Sequence, residues 1–300
     1  MPDNIKEMIA ENTDVKTRYT LRKVSTHFRS AVDASKFCFG KVTIGVSEGK
    51  IYLYLSPEAN IVYCNIKPQL LGLSKTMVHE YEKEQETKKI LEGENYMERA
   101  VKDFKIIMKS KKCFLEELTL IGFPTIRSPQ PWMLSFFQDI LHVARFIIGG
   151  SNQFDQNFVV QVLQHLKPGI LKTLIVETMD KHCYDIVRTE HWMLLEEARV
   201  GNVGGVPISK FLHLKKISMT EFSLTKDGVE EIVQAMLQRP DCEKFSFLVI
   251  ESNKRLKKSY KQAVSQYLPP RNRISIPGTT DWLHINHRSD TVTFERKKEK

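Results

Sequence analysis

His182, Cys183 and Asp185 are the residues of this chain whose types could build a nucleophilic site. A thiolate attacks carbonyl carbons when an imidazole accepts its proton and a carboxylate orients that imidazole. Neighbours in sequence rarely reach the required geometry, and no flanking signature accompanies these three. The glycine-rich segment Gly201–Gly205 lacks Gly-x-Gly-x-x-Gly spacing, and Pro207 follows where a phosphate-binding helix should begin. We therefore predict no catalytic residues and a tight turn at the glycines.

Metal and cofactor binding are disfavoured as well. The chain has 9 His and 5 Cys, without the paired short spacing of zinc ligands. Scattered cysteines in odd number and the lack of an Asn-x-Ser/Thr sequence predict a reducing cytoplasm or nucleus and no disulfides. No apolar run approaches the roughly 18 residues of a membrane span. Asp3, Glu7 and Glu11 stand where a signal sequence would be basic, then apolar. We expect no metal, no cofactor and no membrane.

The positive charge of the chain is concentrated near its C-terminus. The net charge is +9, and residues 251–300 contain twelve Lys or Arg against five Asp or Glu. Such a cluster can serve nucleic acid or nuclear import. Aromatic residues at stacking positions are missing from it, however. A solvated helix face and a frayed tail are the favoured interpretation.

Two groups of apolar residues near the N-terminus are spaced for one face of a helix. The first contains Ile5, Met8 and Ile9. The second, which we expect on a single helix, contains Leu21, Val24, Phe28 and Val32. About 35 residues cannot enclose a core of their own. The two stripes must therefore close on the rest of the chain or on another molecule, and an ordinary N-terminal cap is the simpler alternative.

This segment resembles an F-box of the form that begins with a Met-Pro pair and ends in Leu-Arg-Lys-Val-Ser. The residues that carry the resemblance are Pro2, Ile5, Ile9, Arg18, Leu21, Arg22, Val24, Ser25, Phe28 and Val32. The combination of Leu-Arg-Lys-Val-Ser with a following Phe-Arg and Val-Asp is fairly specific. Each of these short sequences alone would be weak evidence for the resemblance.

The next part of the chain changes period. Alternating apolar residues predict strands over 42–46, 51–55 and 61–65, with a turn at Ser47–Gly49. From Ser74, a plausible N-cap, to Ser110 the chain is charged, and we predict a helical connector with a break at Gly93. Its apolar stripe is Met97, Ala100, Val101, Phe104 and Met108.

From Leu115 onward an apolar-x-x-apolar-x-apolar unit recurs six times. The units are Leu115/Leu118/Leu120, Val143/Phe146/Ile148, Leu171/Leu174/Val176, Leu195/Ala198/Val200, Leu214/Ile217/Met219 and Phe245/Leu248/Ile250. Helical stripes separate some of them, in three places: 132–141, 155–166 behind Asp155, and 229–237 behind Thr225. The distances between the starts of successive units lie around the repeat length of leucine-rich repeats. We predict an irregular, leucine-rich-repeat-like curved α/β domain, with a generic α/β domain as the alternative.

The same stretch is similar to a second family element, the FTH (DUF38) domain. The segment Leu166–Leu174, with its Leu-Lys-Pro-Gly-x-Leu sequence, and the later block from Trp192 to Thr225 carry the resemblance. That domain follows the F-box in a large group of nematode F-box proteins. The predicted organisation is an F-box at 1–36, a β meander and connector at 37–112, the FTH domain at 113–268, and a C-terminal hairpin with a basic tail at 269–300.

The resemblance implies a non-catalytic, substrate-recognition subunit of an SCF-type ubiquitin ligase. Its F-box would bind a Skp-type adaptor, which connects to a cullin scaffold. The residues predicted to contact the adaptor are Pro2, Ile5, Ile9, Leu21, Val24, Phe28 and Val32.

The repeat domain would bind an unknown target protein, and a surface of mixed charge suits a protein better than nucleic acid. The outward strand residues predicted to contact the target are Glu117, Arg145, Glu177, Arg199, Lys216 and Glu251. Two other classes stay open: a repeat-domain interaction protein without a ligase role, and a nucleic-acid-binding protein that uses the basic C-terminus.

Overall fold

The computed structural model describes residues 2–13, 15–35, 37–56, 59–66, 75–82, 85–108, 113–122, 131–137, 139–150, 154–177, 183–201, 203, 205–220, 224–248, 261–267, 273–288 and 291–298. The chain divides into two compact units. Unit 1 is Met1–Asn152 with Gln164–Ile170, and unit 2 is Gln153–Leu163 with Leu171–Lys300. No helix among the described residues is both long enough and apolar enough to cross a membrane.

Unit 1 begins with three short helices: α1 (Asp3–Glu11), α2 (Val15–Val24) and α3 (Thr26–Ala34). The prediction of one continuous helix through the second apolar stripe is wrong, because Ser25 divides it. Ser25 has extended backbone angles, φ −159° and ψ 162°, and its Oγ accepts a hydrogen bond from the Phe28 N–H at 3.2 Å. Serine is a favoured N-cap because its oxygen satisfies such an N–H.

A five-stranded antiparallel meander follows: β1 (Phe37–Ser47), β2 (Lys50–Ser56), β3 (Ala59–Ile66), β4 (Lys75–Glu82) and β5 (Gln85–Glu92). The strands predicted at 42–46, 51–55 and 61–65 are confirmed as parts of β1, β2 and β3. Gly49 turns between β1 and β2 with φ 68°, a backbone conformation that favours glycine.

The helix predicted from Ser74 is wrong over its first half, because the charged residues form β4 and β5. Thr76 and Val78 alternate inward on β4, being 0% and 6% exposed. Opposite charges face each other across the two strands, with Lys75 Nζ 2.9 Å from a Glu92 oxygen. Such pairs stabilise a hairpin whose sequence has few apolar residues. Ser74 itself lies outside the described residues.

The second half of the connector is the predicted helix, α4 (Tyr96–Ile107). Its expected stripe is confirmed: Met97 is half-buried, and the other members are buried, namely Ala100, Val101, Phe104 and Met108. The helix packs against β2 and β3. Asp103 on α4 accepts a hydrogen bond from the Tyr63 hydroxyl at 3.0 Å.

Unit 1 is completed by two parallel strands, β6 (Cys113–Gly122) and β7 (His142–Gly150), and its strand order is β7-β6-β1-β2-β3-β4-β5. The first two predicted repeat units provide the buried residues of these strands. The helix expected over 132–141 is only a short 3-10 helix, Pro131–Phe136. Leu141 lies instead in a β-bridge with Leu166.

Unit 2 contains α5 (Gln156–Leu163), β8 (Thr173–Val176), α6 (Glu190–Leu194), β9 (Glu197–Val200), β10 (Lys216–Thr220), α7 (Lys226–Gln238), β11 (Lys244–Leu248), β12 (Arg273–Ser275), β13 (Trp282–Arg288) and β14 (Thr291–Lys297). Its strand order is β8-β9-β10-β11-β14-β13-β12. Strands β8 to β11 are parallel, and the C-terminal strands are antiparallel. The predicted helices at 155–166 and 229–237 correspond to α5 and α7, and Thr225 caps α7 as expected.

The sixth repeat unit has a different frame from the predicted one. Phe245 and Phe247 are fully buried and pair in register with Ile217 and Met219 of the fifth unit. Cys242, also fully buried, takes the first position. The repeat is therefore Cys242/Phe245/Phe247, and a cysteine at the leading position concealed it. The Leu248 side chain and Ile250 lie outside the described residues.

Gly93 ends β5 with φ 73°, and a Cβ at this position would meet nothing within 4 Å. Because only the backbone conformation opposes a side chain there, Gly93→Ala should lower the free energy of unfolding by about 1 kcal/mol. Urea denaturation would measure the change. Gly40→Ala is the control, since its Cβ would meet Glu116 at an ordinary 3.7 Å. If Gly93→Ala and Gly40→Ala lowered the free energy of unfolding equally, the backbone conformation of Gly93 would not be the cause.

Candidate functional site

One buried arginine joins the three N-terminal helices. Arg18 of α2 donates from Nε to the Ala10 carbonyl of α1 at 2.7 Å and from Nη2 to the Ser35 hydroxyl after α3 at 2.9 Å. Arg18 is only 5% exposed, and this burial lowers the pKa of its guanidinium from the ordinary value. Arginine keeps its charge in proteins, so its rigid fork sets the positions of all three helices.

A second arginine holds α2 and α3 together nearer the surface. Arg22 forms a two-pronged ion pair with Asp33, with Nε–Oδ1 at 2.7 Å and Nη2–Oδ2 at 3.1 Å. Arg29 adds a hydrogen bond from Nε to the Arg22 carbonyl at 3.2 Å. Two parallel hydrogen bonds to one carboxylate give a fixed geometry as well as attraction. Polar contacts of Arg18, Arg22 and Arg29 thus join the N-terminal helices.

The same arrangement leaves large apolar side chains exposed. On α1 the buried residues are Lys6 and Ala10, whereas Ile5 is 38% exposed and Met8 57% exposed. At the end of α2, Val24 is 65% exposed. These three exposed side chains, two on α1 and one on α2, are together called the apolar patch below. Large apolar side chains left open to solvent on a short helical segment are candidates for contact with another protein.

The seven residues predicted to contact an adaptor fall into three groups. Pro2, Ile5 and Val24 are exposed, and Ile9, Leu21 and Phe28 are half-buried. Val32 is 5% exposed and contributes to the interior of this chain, so its inclusion is corrected. It lies on the buried side of α3 with Ala31, because Ser25 starts that helix afresh. Met8 is not among the predicted contacts, although it is exposed and its helical spacing from Ile5 places it on the same face.

The charged residues predicted to bind a target in unit 1 pair with each other. Lys41, Glu117 and Arg145 are aligned by register across β1, β6 and β7. The Glu117 carboxylate lies 2.7 Å from Lys41 Nζ and 3.5 Å from Arg145 Nε. Pairs at such exposed positions contribute about 0–1 kcal/mol each. The carboxylate balances one of the two cations, and Glu117 and Arg145 are less available to a partner than their sequence positions indicate.

The same arrangement recurs in unit 2. Lys216 Nζ lies 3.0 Å from Glu197 on β9 and 2.8 Å from Glu243 at the start of β11. Glu196 accepts from Lys172 at 3.2 Å and from Lys215 at 2.6 Å. Hydrogen bonds from Lys215 and then Lys172 hold the pKa of the Glu196 carboxyl below its usual value.

Arg199 and Glu177 differ from those residues. Both are exposed, and neither side chain forms an ion pair with another described residue. Glu251 lies outside the described residues. The sequence identified the outward positions of the strands correctly, but it did not indicate which charges would be paired.

Of the three residues that suggested nucleophilic chemistry, the structure describes Cys183 and Asp185. Cys183 is fully buried, and burial raises the pKa of its thiol to about 12. Asp185 lies 3.8 Å from Arg188, and His182 is outside the described residues. Within the described ranges, no three His, Cys, Asp or Glu side chains gather where they could hold a metal ion.

Part of the C-terminal positive charge has a structural role. Arg296 on β14 donates from Nη2 to the carbonyls of Met236 and Arg239, both at 2.9 Å, at the end of α7. Its side chain is 7% exposed, and its Nη1 lies 3.5 Å from Asp281. A cation at a helix C-terminus is stabilising because the last carbonyls lack partners. Arg296 is therefore not available to nucleic acid.

Comparison with known families adds two matches. The F-box domain family matches residues 1–40, and the FTH domain family matches residues 132–268. No curated protein and no solved structure matches the chain. The first match covers α1 to α3 with the apolar patch, and the second covers the four parallel strands of unit 2, β8 to β11.

Arg18→Ala should loosen the N-terminal helices, because it leaves the Ser35 hydroxyl and Ala10 carbonyl without this donor. The free energy of opening α1 to α3 should fall by about 2–4 kcal/mol. Amide hydrogen exchange of these helices measures it. Arg18→Lys, which keeps the charge but loses the fork, should recover only part of the protection. Unchanged exchange in the alanine variant would contradict the role given to Arg18.

The Glu196 pairs predict an acid-dependent contribution to stability. Because its folded-state pKa lies below the ordinary 4.5, the contribution is present above that pH and is lost as pH falls through the folded pKa. Glu196→Gln should therefore be less stable than the parent protein at pH 7, by up to about 1 kcal/mol, with the difference closing in acid. Urea denaturation at several pH values tests this. In a Lys172→Ala, Lys215→Ala background the substitution should have almost no effect, and a full effect there would refute the pairing.

Proposed function

We propose that this chain, which carries an F-box domain followed by an FTH domain, is the substrate-recognition subunit of an SCF-type ubiquitin ligase. F-box proteins are in general non-catalytic adaptors of ubiquitin ligases. The N-terminal helices would bind a Skp-type adaptor, and the adaptor would connect them to a cullin scaffold. The FTH region would bind a target protein.

The observation that carries this proposal is the exposure of the apolar patch. Burying a side chain such as Val or Met stabilises a complex by about 1.5–3 kcal/mol. A stable interface covers about 800 Å² on each partner, and a few central residues supply most of its energy. Ile5, Met8 and Val24 are suited to be those residues, and Pro2 and the half-buried Ile9, Leu21 and Phe28 would add further contacts.

The Arg18 and Arg22 contacts also support the proposal, because they hold the three helices rigid before binding. A surface that is already ordered loses less conformational entropy on binding. Arg18 fixes α1 and α3 to α2, and Arg22 fixes α2 to α3. The patch would therefore meet its partner with its backbone already in place.

Target binding is proposed for the parallel strands of unit 2, which we take to form a leucine-rich-repeat-like curved face. Successive strands present alternate residues outward, so each strand adds polar side chains to one surface. The contribution to ubiquitin transfer is positional: a bound target has its lysines at high effective concentration near the ubiquitin-charged enzyme. The chain itself would make or break no bond.

Val24→Asp should abolish adaptor binding while the protein stays folded. Val24 is 65% exposed, so the folded chain tolerates aspartate there, but the charge would be buried without a partner in the complex. We expect binding of a purified Skp-type adaptor to weaken by about 100-fold or more, as measured by titration calorimetry.

Ile90→Asp is the matched control, since Ile90 is 58% exposed on β5, outside the F-box. It should bind the adaptor like the parent protein, and both variants should keep the parent melting temperature. Undiminished binding by the Val24 variant would remove the proposed contact. No adaptor binding by the parent protein would favour an interaction protein without a ligase role.

A further inference from the structure

The outward side of the unit 2 sheet carries two rows of polar side chains. Strand register aligns Arg199, Ser218, Ser246, Thr293 and Asn286 across β9, β10, β11, β14 and β13. A neighbouring row contains Thr220, Thr291 and Arg288, and Leu248 of β11 stands between Thr220 and Thr291 in the register. Neighbouring residues on the same strands are buried, so these side chains point to the other face; the buried neighbours are Ala198, Val200, Met219, Phe247, Val292 and Ile285. The eight polar residues are called the polar rows.

Most side chains of the polar rows have unused hydrogen-bonding capacity. Those of Arg199, Ser218, Asn286 and Arg288 make no ion pair or hydrogen bond with another described residue. The contact recorded within the rows is Ser246 Oγ to Thr293 Oγ1 at 3.4 Å. The two arginines are exposed, and the hydroxyl and amide groups are half-buried. Such groups can both donate to and accept from an extended backbone.

The charge of this face selects an acidic partner. At the outward positions of the described strands of unit 2 and directly beside them, four acidic residues, Glu177, Glu197, Glu243 and Glu295, are outnumbered by six basic ones. The six are Arg199, Lys216, Lys244, Arg273, Arg288 and Lys297. The excess is positive, and complementary potentials favour association with a negative segment.

The internal pairing of this face argues against nucleic acid. Lys216 and Lys244 are paired with glutamates, and Lys297 lies 2.7 Å from Glu295. Arg273 stacks over the Trp282 ring at 4.1 Å, covering that outward aromatic residue. A nucleic-acid backbone needs many open cations along its path and aromatic rings for its bases. Arg199 and Arg288 are two separated anchors instead.

The separation of these anchors sets the length of the segment. Four interstrand steps lie between β9 and β13, which is about 19 Å at about 4.8 Å a step. An extended peptide covers that distance with about six residues, since each adds about 3.3 Å. We propose that the polar rows bind an extended acidic segment of the target protein, with one acidic group at Arg199 and another at Arg288. This rests on the target-binding role given to unit 2 above.

The test uses fluorescence anisotropy of the full chain with a labelled peptide that has an Asp-Glu pair at each end of a Gly/Ser spacer of about six residues. The acidic peptide should bind, and its Asn-Gln analogue should bind about tenfold more weakly or worse. Arg199→Gln and Arg288→Gln should each weaken the acidic peptide by about tenfold. A peptide with the two acidic pairs adjacent should lose the contribution of one arginine.

Arg188→Gln is the control: Arg188 is an exposed arginine outside the polar rows, and its loss makes the same change in net charge. It should leave peptide binding unchanged. Equal binding of a Lys-Lys analogue, equal loss in the control, or no binding of the acidic peptide would overturn the proposal. Tighter binding of a single-stranded oligonucleotide, lost on the same two substitutions, would overturn it in favour of nucleic acid.

The variants also separate this inference from the proposed function. Arg199→Gln and Arg288→Gln lie far along the chain from the apolar patch, and adaptor binding should be unchanged in both. Failure of the peptide test with intact adaptor binding would remove the acidic segment alone.

Discussion

The account depends on how the N-terminal helices are held together while their apolar residues stay outside. A segment of about 35 residues cannot enclose a hydrophobic core. The buried Arg18 replaces part of that core, because its fork reaches the Ala10 carbonyl and the Ser35 hydroxyl. Polar bonds inside allow Ile5, Met8 and Val24 to remain exposed. If apolar packing alone held the helices, those side chains would be needed between them.

Much of the fold follows from patterns within single elements. Strands β1 to β3, helix α4 and five of the six repeat units could be predicted because their apolar residues alternate or recur with one clear period. The strands β4 and β5 could not, since they are stabilised by pairs such as Lys75 with Glu92 across the hairpin. Pairing between strands is a property of the folded register, and charged residues close in sequence also suit a helix.

The candidate surfaces show the same division. Helical spacing indicated Ile5 and Val24, and these are exposed as expected, whereas Val32 is buried because Ser25 begins a new helix. Strand alternation indicated that Lys216 and Arg199 point outward. It did not distinguish the paired Lys216 from the open Arg199, because the partners come from other strands.

The central claim is that the apolar patch of α1 and α2 is the surface on which another protein docks. Hydrogen–deuterium exchange of the full chain, with and without a purified Skp-type adaptor, tests this most directly. The account predicts new protection in α1 and in the C-terminal half of α2, with no change in the parallel strands of unit 2. Protection confined to unit 2, or none in α1 and α2 at saturating adaptor, would contradict it.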